Sequence, residues 1–200
     1  MDEFEKEIKD KLSLLTYEGK ILFSVLTSEK LYPNCVAFEN RNNWRGCGIL
    51  QEAISLTYHY LINRSSVSIS DFEDMITRID LITPDTEDFS DITTSFALDA
   101  CTSLIGTLRF IIDKDINNLL EVSTYATDTV YAFIQLKEDF NAFDPSSDIQ
   151  TEHDDFMIRE QERQRTLIKT IAGMKLSSLT DGMINQLRTA EPIIDLSLLS

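Results

Sequence analysis

ITTSFALDACTSLIGTLRFII, residues 92–112, is the most apolar stretch of the 200-residue chain, and its reading decides the fold. Phe96, Ala100, Cys101, Leu104, Ile105, Leu108 and Ile111 recur at steps of three and four, which stacks them along a helix. Its threonines and isoleucines also permit a strand. Length decides for a central buried helix, because strands of that size are uncommon.

The same periodicity extends outward on both sides. Phe4, Ile8, Leu12 and Leu15 mark one face of a first helix, and Thr16 is placed to N-cap a second, Tyr17 to Leu31, with Glu18 in its first turn. Tyr32-Pro33-Asn34 is expected to end that run, since the residue before proline avoids helical torsions. Pro33 would then open a short helix to about Asn40. Asn40 to Gly48 reads as a loop and Ile49 to Ile62 as a helix with Ile54, Tyr58 and Leu61 inward. Ser70-Asp71-Phe72-Glu73 has the form of a capping box ahead of Met75, Ile76, Ile79 and Ile82. Thr83-Pro84-Asp85 breaks that helix.

Downstream, Asp115 caps a run carrying Leu119, Leu120, Ala126, Val130, Phe133 and Ile134. Residues 141–150 read as an exposed connector, followed by helices from about Glu152 to Met174 and from Leu179 to Ala190. Pro192 stops the last one and leaves a tail, 192–200. The expectation is one all-α domain over residues 1–200, a compact bundle of seven to eight helices. At 42% apolar and 26% charged, the composition is that of a globular chain.

Charge narrows the partners. The formal net charge is −16, and residues 71–155 carry all of it, with 20 acidic against four basic side chains. Such a field repels phosphate backbones and anionic lipid surfaces, so neither nucleic acid nor membrane is an expected partner. A basic protein is. The amino terminus lacks the basic start and apolar middle of a signal peptide, and the expected location is cytoplasmic.

Few residues point to chemistry. His59, between Tyr58 and Tyr60, is expected to be part of the helix packing, and His153 to lie at a solvated helix start among Glu152, Asp154 and Asp155. No di-iron helix pattern, nucleophile elbow or phosphate loop is present, so no catalytic residue, metal or cofactor is assigned. The three cysteines (Cys35, Cys47, Cys101) fit neither a disulfide framework nor a zinc knuckle, and Cys101 reads as a small core residue. Asp99, inside the most apolar helix, must reach the surface, find a structural partner or belong to a site. Glu160 with Arg163 and Glu162 with Arg165 stand three apart, as on a solvated helix face; alternatively an arginine reaches Asp99 or Glu29. Trp44 with Arg41 and Arg45 forms a small aromatic and basic cluster that either caps the core or marks an interaction hot spot.

Glu29-Lys30-Leu31-Tyr32-Pro33-Asn34, with Phe38 after it, resembles the E-x-x-Y-P-N element of the YjaG-like bacterial proteins, the domain of unknown function number 416. Ala97-Leu98-Asp99-Ala100-Cys101 resembles that family's A-I-D-A-C, Leu120-Glu121-Val122-Ser123 its E-V-S helix, and Glu162-Arg163 with Leu167-Ile168 a third match. The resemblance spans roughly residues 17 to 172. It implies an all-helical fold and no established activity.

The candidate binding residues are therefore Glu29, Tyr32, Asn34, Arg41, Trp44, Asp99, Glu162 and Arg163. Three functions compete. The first is a non-catalytic module that binds a basic protein, for example an immunity-type inhibitor of a basic toxin. The second is an enzyme or metal-binding protein built around Asp99 with Glu29 or Glu162 and His59. The third is a homo-oligomeric structural protein.

Overall fold

The computed structural model describes residues 3–89, 91–137, 150–188 and 191–199. Eight α-helices run through them: α1 (Glu3–Ser13), α2 (Tyr17–Asn42), α3 (Cys47–Ile62), α4 (Ile69–Ile82), α5 (Thr93–Asp113), α6 (Ile116–Lys137), α7 (Asp155–Ala172) and α8 (Asp181–Leu187). Short 3₁₀ turns follow α3 and α7 and close the chain at Leu196–Leu199. No strand occurs among the described residues, so the all-α bundle is the fold.

α5 is the hub, as its spacing requires. It packs against α2, α6, α4 and α3, and every apolar position named from the sequence is buried. By length and composition α5 could cross a membrane, yet most of it is enclosed by the other helices. The α2–α5 seam is close because small side chains line it. Ser103 Oγ donates to Ser28 Oγ at 2.6 Å, and Ser28 and Thr107 share a 3.1 Å hydrogen bond, so buried hydroxyls satisfy one another. Gly106 serves the opposite side: a Cβ there would lie 3.0 Å from the Asn118 carbonyl and 3.2 Å from Val122 of α6. The absent side chain is what brings α6 so near.

Caps follow local chemistry. Thr16 accepts a hydrogen bond from the Gly19 N–H, as its position predicts, and Asp115 accepts one from Asn117 N–H. The capping box of α4 is two residues earlier than expected. Ser68, not Ser70, is the N-cap, and Asp71 reaches back to the Ser68 N–H at 2.7 Å. Val67 is extended, so the helix turns at the first S-x-x-acid set it meets.

Pro33 does not end the second helix. α2 continues through it to Asn42, and the predicted short helix and much of the predicted loop are its last turns. Proline removes one backbone bond, to the Glu29 carbonyl. Packing outweighs that loss, because Ser24, Ser28, Leu31, Cys35 and Phe38 form one buried stripe across the proline. Only Asn43 to Gly46 are left as the connection to α3.

At the other end, Ile193 and Ile194 are buried in the core, so the segment after Pro192 is anchored. α8 stops at Leu187, short of the expected Ala190, which lies outside the described residues along with the predicted connector from 141 through 149.

Candidate functional site

A groove of about 540 Å³ opens between α2, α7 and α8. Leu26, Leu167 and Leu187 give it an apolar lining, and Glu29, Glu162, Arg163 and Arg188 are among its charged walls. Three of the candidate residues, Glu29, Glu162 and Arg163, are thus brought together.

The charges of the groove neutralise one another. Arg188 Nε donates to Glu29 Oε1 and Oε2 at 2.9 and 3.0 Å, its Nη2 also reaches Glu29, and Tyr58 donates its phenol to Glu29 Oε2 at 2.6 Å. Burial, then the Glu29 charge, pushes the Tyr58 phenol well up, and the Glu29 hydrogen bonds raise Arg188 further. Arg163 grips Glu160 through Nε and Nη2 at 2.6 and 2.7 Å. Glu160 also accepts from Gln164, which is fully buried and exchanges hydrogen bonds with Ser123 of α6. The predicted Glu160–Arg163 and Glu162–Arg165 pairs both form. Only the second is on a solvated face; the Glu160 side chain is 2% exposed. The arginine that reaches Glu29 is Arg188, which is exposed and not interior, and it comes from outside the predicted run.

Lys30 and Arg159 tie the carboxy-terminal segment across this groove by donating to the Glu191 carbonyl at 2.5 Å and the Ile193 carbonyl at 3.1 Å. Burial lowers the Lys30 ammonium, with the Arg163 charge acting in the same direction.

The remaining candidates lie elsewhere. Asp99 is on the α5 face toward α6, where Thr129 Oγ1 donates to its Oδ2 at 2.7 Å. Burial raises its carboxyl to about 7, against the Thr129 hydrogen bond and with help from the Asp128 charge. It does not line the groove that holds Glu29 and Glu162. Neither does His59, which is exposed on α3 and bonded to Ser66 Oγ at 2.7 Å, not packed as expected. Trp44 packs edge-on against Phe38, with ring centroids 5.3 Å apart. Its neighbours are not an open basic patch, because Arg41 pairs with Asp91 at 3.0 Å and Arg45 with Glu39 at 3.3 Å. Tyr32 is half-buried. Asn34 is fully buried on α2, and neither its amide oxygen nor its nitrogen has a partner among the described residues.

One feature escaped the sequence reading. Cys35 and Cys47 place their sulfurs 2.8 Å apart, and Cys101 hydrogen-bonds the same Cys35 thiol. Among the described residues, no three His, Cys, Asp or Glu side chains are arranged to hold a metal ion. The acidic surplus expected within residues 71–155 includes an outward face on α4 and the segment after it. α4 packs on α3 and α5 through Phe72, Met75 and Ile79, while Asp71, Glu73, Asp74, Asp80, Asp85, Glu87 and Asp88 are all exposed. None of the seven sits in an ion pair among the described residues. Arg78, the one base between them, is drawn to Glu52 at 2.6 Å. Leu81 stands among these carboxylates at 81% exposure.

Residues 7–193 match the family model described as "Protein of unknown function (DUF416)". The chain belongs to the DUF416 family. This agrees with the resemblance read from its motifs. A DUF416 family protein from Shewanella baltica OS155, with a crystal structure at 1.91 Å resolution, is 22% identical, covers 90% of each chain and superposes with a TM-score of 0.79. At that identity the likeness establishes the shared fold. No curated protein matches the chain. In this DUF416 chain, Glu29 and Glu162-Arg163, from two of the motif segments, meet in the groove, whereas Ala97–Cys101 belongs to the core helix.

Proposed function

We propose that this DUF416 protein is a non-catalytic binding module that docks a basic protein partner on the acidic face of α4 and the α4–α5 connection. The observation that carries this is the division of charge. The groove's carboxylates, Glu29 and Glu162, and the buried Glu160 behind Arg163 are held in ion pairs, while seven exposed carboxylates face outward without one. Paired groove charges fix helices against each other and leave little free acid or base for catalysis. Outward charge of one sign accelerates encounter with a cationic partner and rejects anionic ones. Leu81 adds an apolar contact at the centre of such a footprint, where partner affinity concentrates. Neutralisation of a basic toxin enzyme is one concrete form of this role.

The reading is tested by affinity capture from the source cell in low salt and in about 1 M salt, where the Debye length falls to about 3 Å. The bait is the protein beside a variant carrying Asp74→Asn, Asp80→Asn, Asp85→Asn and Asp88→Asn. A basic protein retained by the first bait, and lost both in the variant and in high salt, is the expected result. Equal capture by both baits, or capture only of acidic proteins, overturns it.

The enzyme reading built on Asp99 has less support, because Asp99, the groove carboxylates and His59 occupy three separate places.

A further inference from the structure

Cys35 and Cys47 are 12 residues apart and Cys101 lies far downstream, yet α2, α3 and α5 bring the three to one buried point. Cys35 is the common member, within 2.8 Å of the Cys47 sulfur, and its contacts with the Cys101 and Cys47 thiols together with burial push its own thiol well up. A separation of 2.8 Å is well inside ordinary sulfur–sulfur contact, and less than about 1 Å of approach separates it from a disulfide of about 2.05 Å.

Cys47 differs from the other two. It is the first residue of α3 and is 5% exposed, whereas Cys35 and Cys101 are fully buried. Glu39 sits beside Cys47, accepting the Gly46 and Cys47 N–H groups at 3.0 and 3.1 Å. Trp44, whose ring would be struck by any Cβ at Gly46, packs over this turn.

We infer that Cys47 and Cys35 are a latent, reversible disulfide: a site of oxidation by hydrogen peroxide, with Cys47 attacked first and Cys35 resolving. The Cys47 sulfur attacks one peroxide oxygen, the O–O bond breaks, and the thiol proton leaves with the other oxygen as water, giving a sulfenic acid. The Cys35 sulfur then attacks the Cys47 sulfur, the S–O bond breaks, and the Cys35 proton leaves with the hydroxyl as a second water. Two thiols and one peroxide become one disulfide and two waters. The new bond staples α2 to α3 across the Asn43–Gly46 turn. It constrains the unfolded chain over a short loop, which raises the melting temperature by on the order of 5–10 °C.

The test needs no substitution. The intact protein is treated with hydrogen peroxide, its thiols are counted after denaturation, and the non-reduced peptides are mapped by mass. One free thiol remaining of three, a peptide joining Cys35 to Cys47, a raised melting temperature and full reversal by a reductant are the expected results. Cys101→Ser should leave the cross-link in place. Three surviving thiols, a Cys35–Cys101 bridge, or Cys47 carried to sulfinic acid without a bridge each overturn the inference.

Discussion

Arg188 closes on Glu29 across 159 residues of sequence, and the Tyr58 phenol, beneath the guanidinium, holds the same carboxylate from α3. This pair tethers α8, a helix of seven residues that is too short to persist alone. Arg188→Ala should cost about 1–2 kcal/mol, discounted for partial exposure, and lower the melting temperature by about 3–6 °C. Hydrogen exchange would rise selectively over 181–187. Unchanged protection there would show that Leu187 and Ile184 hold the helix without the ion pair.

The buried half of the groove should respond more strongly than the exposed half. Arg163→Met leaves Glu160 buried with only Gln164 to satisfy it, a loss of about 3 kcal/mol. Glu162→Ala removes one partner of an exposed pair and should cost under about 1 kcal/mol. Denaturant unfolding separates the two, and equal effects would contradict the assignment of burial.

Asp99 makes stability depend on pH in an uncommon sense. Its folded carboxyl titrates near 7, above its ordinary range, so between about pH 4 and 7 the native state holds a proton that the unfolded chain has lost. Its contribution is therefore complete below about pH 4 and fades as pH rises through 7. Asp99→Asn should stabilise the protein at pH 8 by on the order of 2 kcal/mol relative to wild type and flatten the melting temperature between pH 5 and 8. Glu7, Glu39 and Asp71, whose carboxyls are lowered by their hydrogen bonds, act oppositely and only at more acid pH. A wild-type melting temperature that rises from pH 5 to 8 would refute this account of Asp99.

Asn34 is a candidate from the E-x-x-Y-P-N element that the fold buries without a hydrogen-bond partner. An unsatisfied amide is costly, and an apolar group of similar shape removes the cost. Asn34→Leu should leave the melting temperature unchanged or raise it. A fall equivalent to about 2 kcal/mol or more would mean that the amide has a role that packing does not supply.

The helical architecture was legible because burial writes a period into the chain. The α5 spacing of Phe96, Ala100, Leu104, Leu108 and Ile111 leaves one helical face no alternative. Pro33 misled for the same reason that proline rules work: they describe the backbone locally, whereas Leu31, Cys35 and Phe38 hold α2 by packing on α5 and α3. The Ser68–Asp71 box and the Ser70–Glu73 pattern overlap, and only the extended Val67 chooses between them. Site geometry was less legible. Glu160–Arg163 could be read at helical spacing, but not its burial under α6. The Cys35–Cys47 contact and the Glu29–Arg188 pair arise from helix packing, and no spacing in the chain encodes them.

The central claim is that the α4 carboxylates steer a basic partner. The most direct measurement is the association rate constant with the captured partner, for wild type and for the fourfold Asp→Asn variant at positions 74, 80, 85 and 88, from about 50 to 500 mM salt. Wild-type association should be at least about tenfold faster in low salt than in high salt, and neutralisation should remove most of that gain while changing dissociation little. Association rates that are the same for both proteins at every salt concentration would contradict the account.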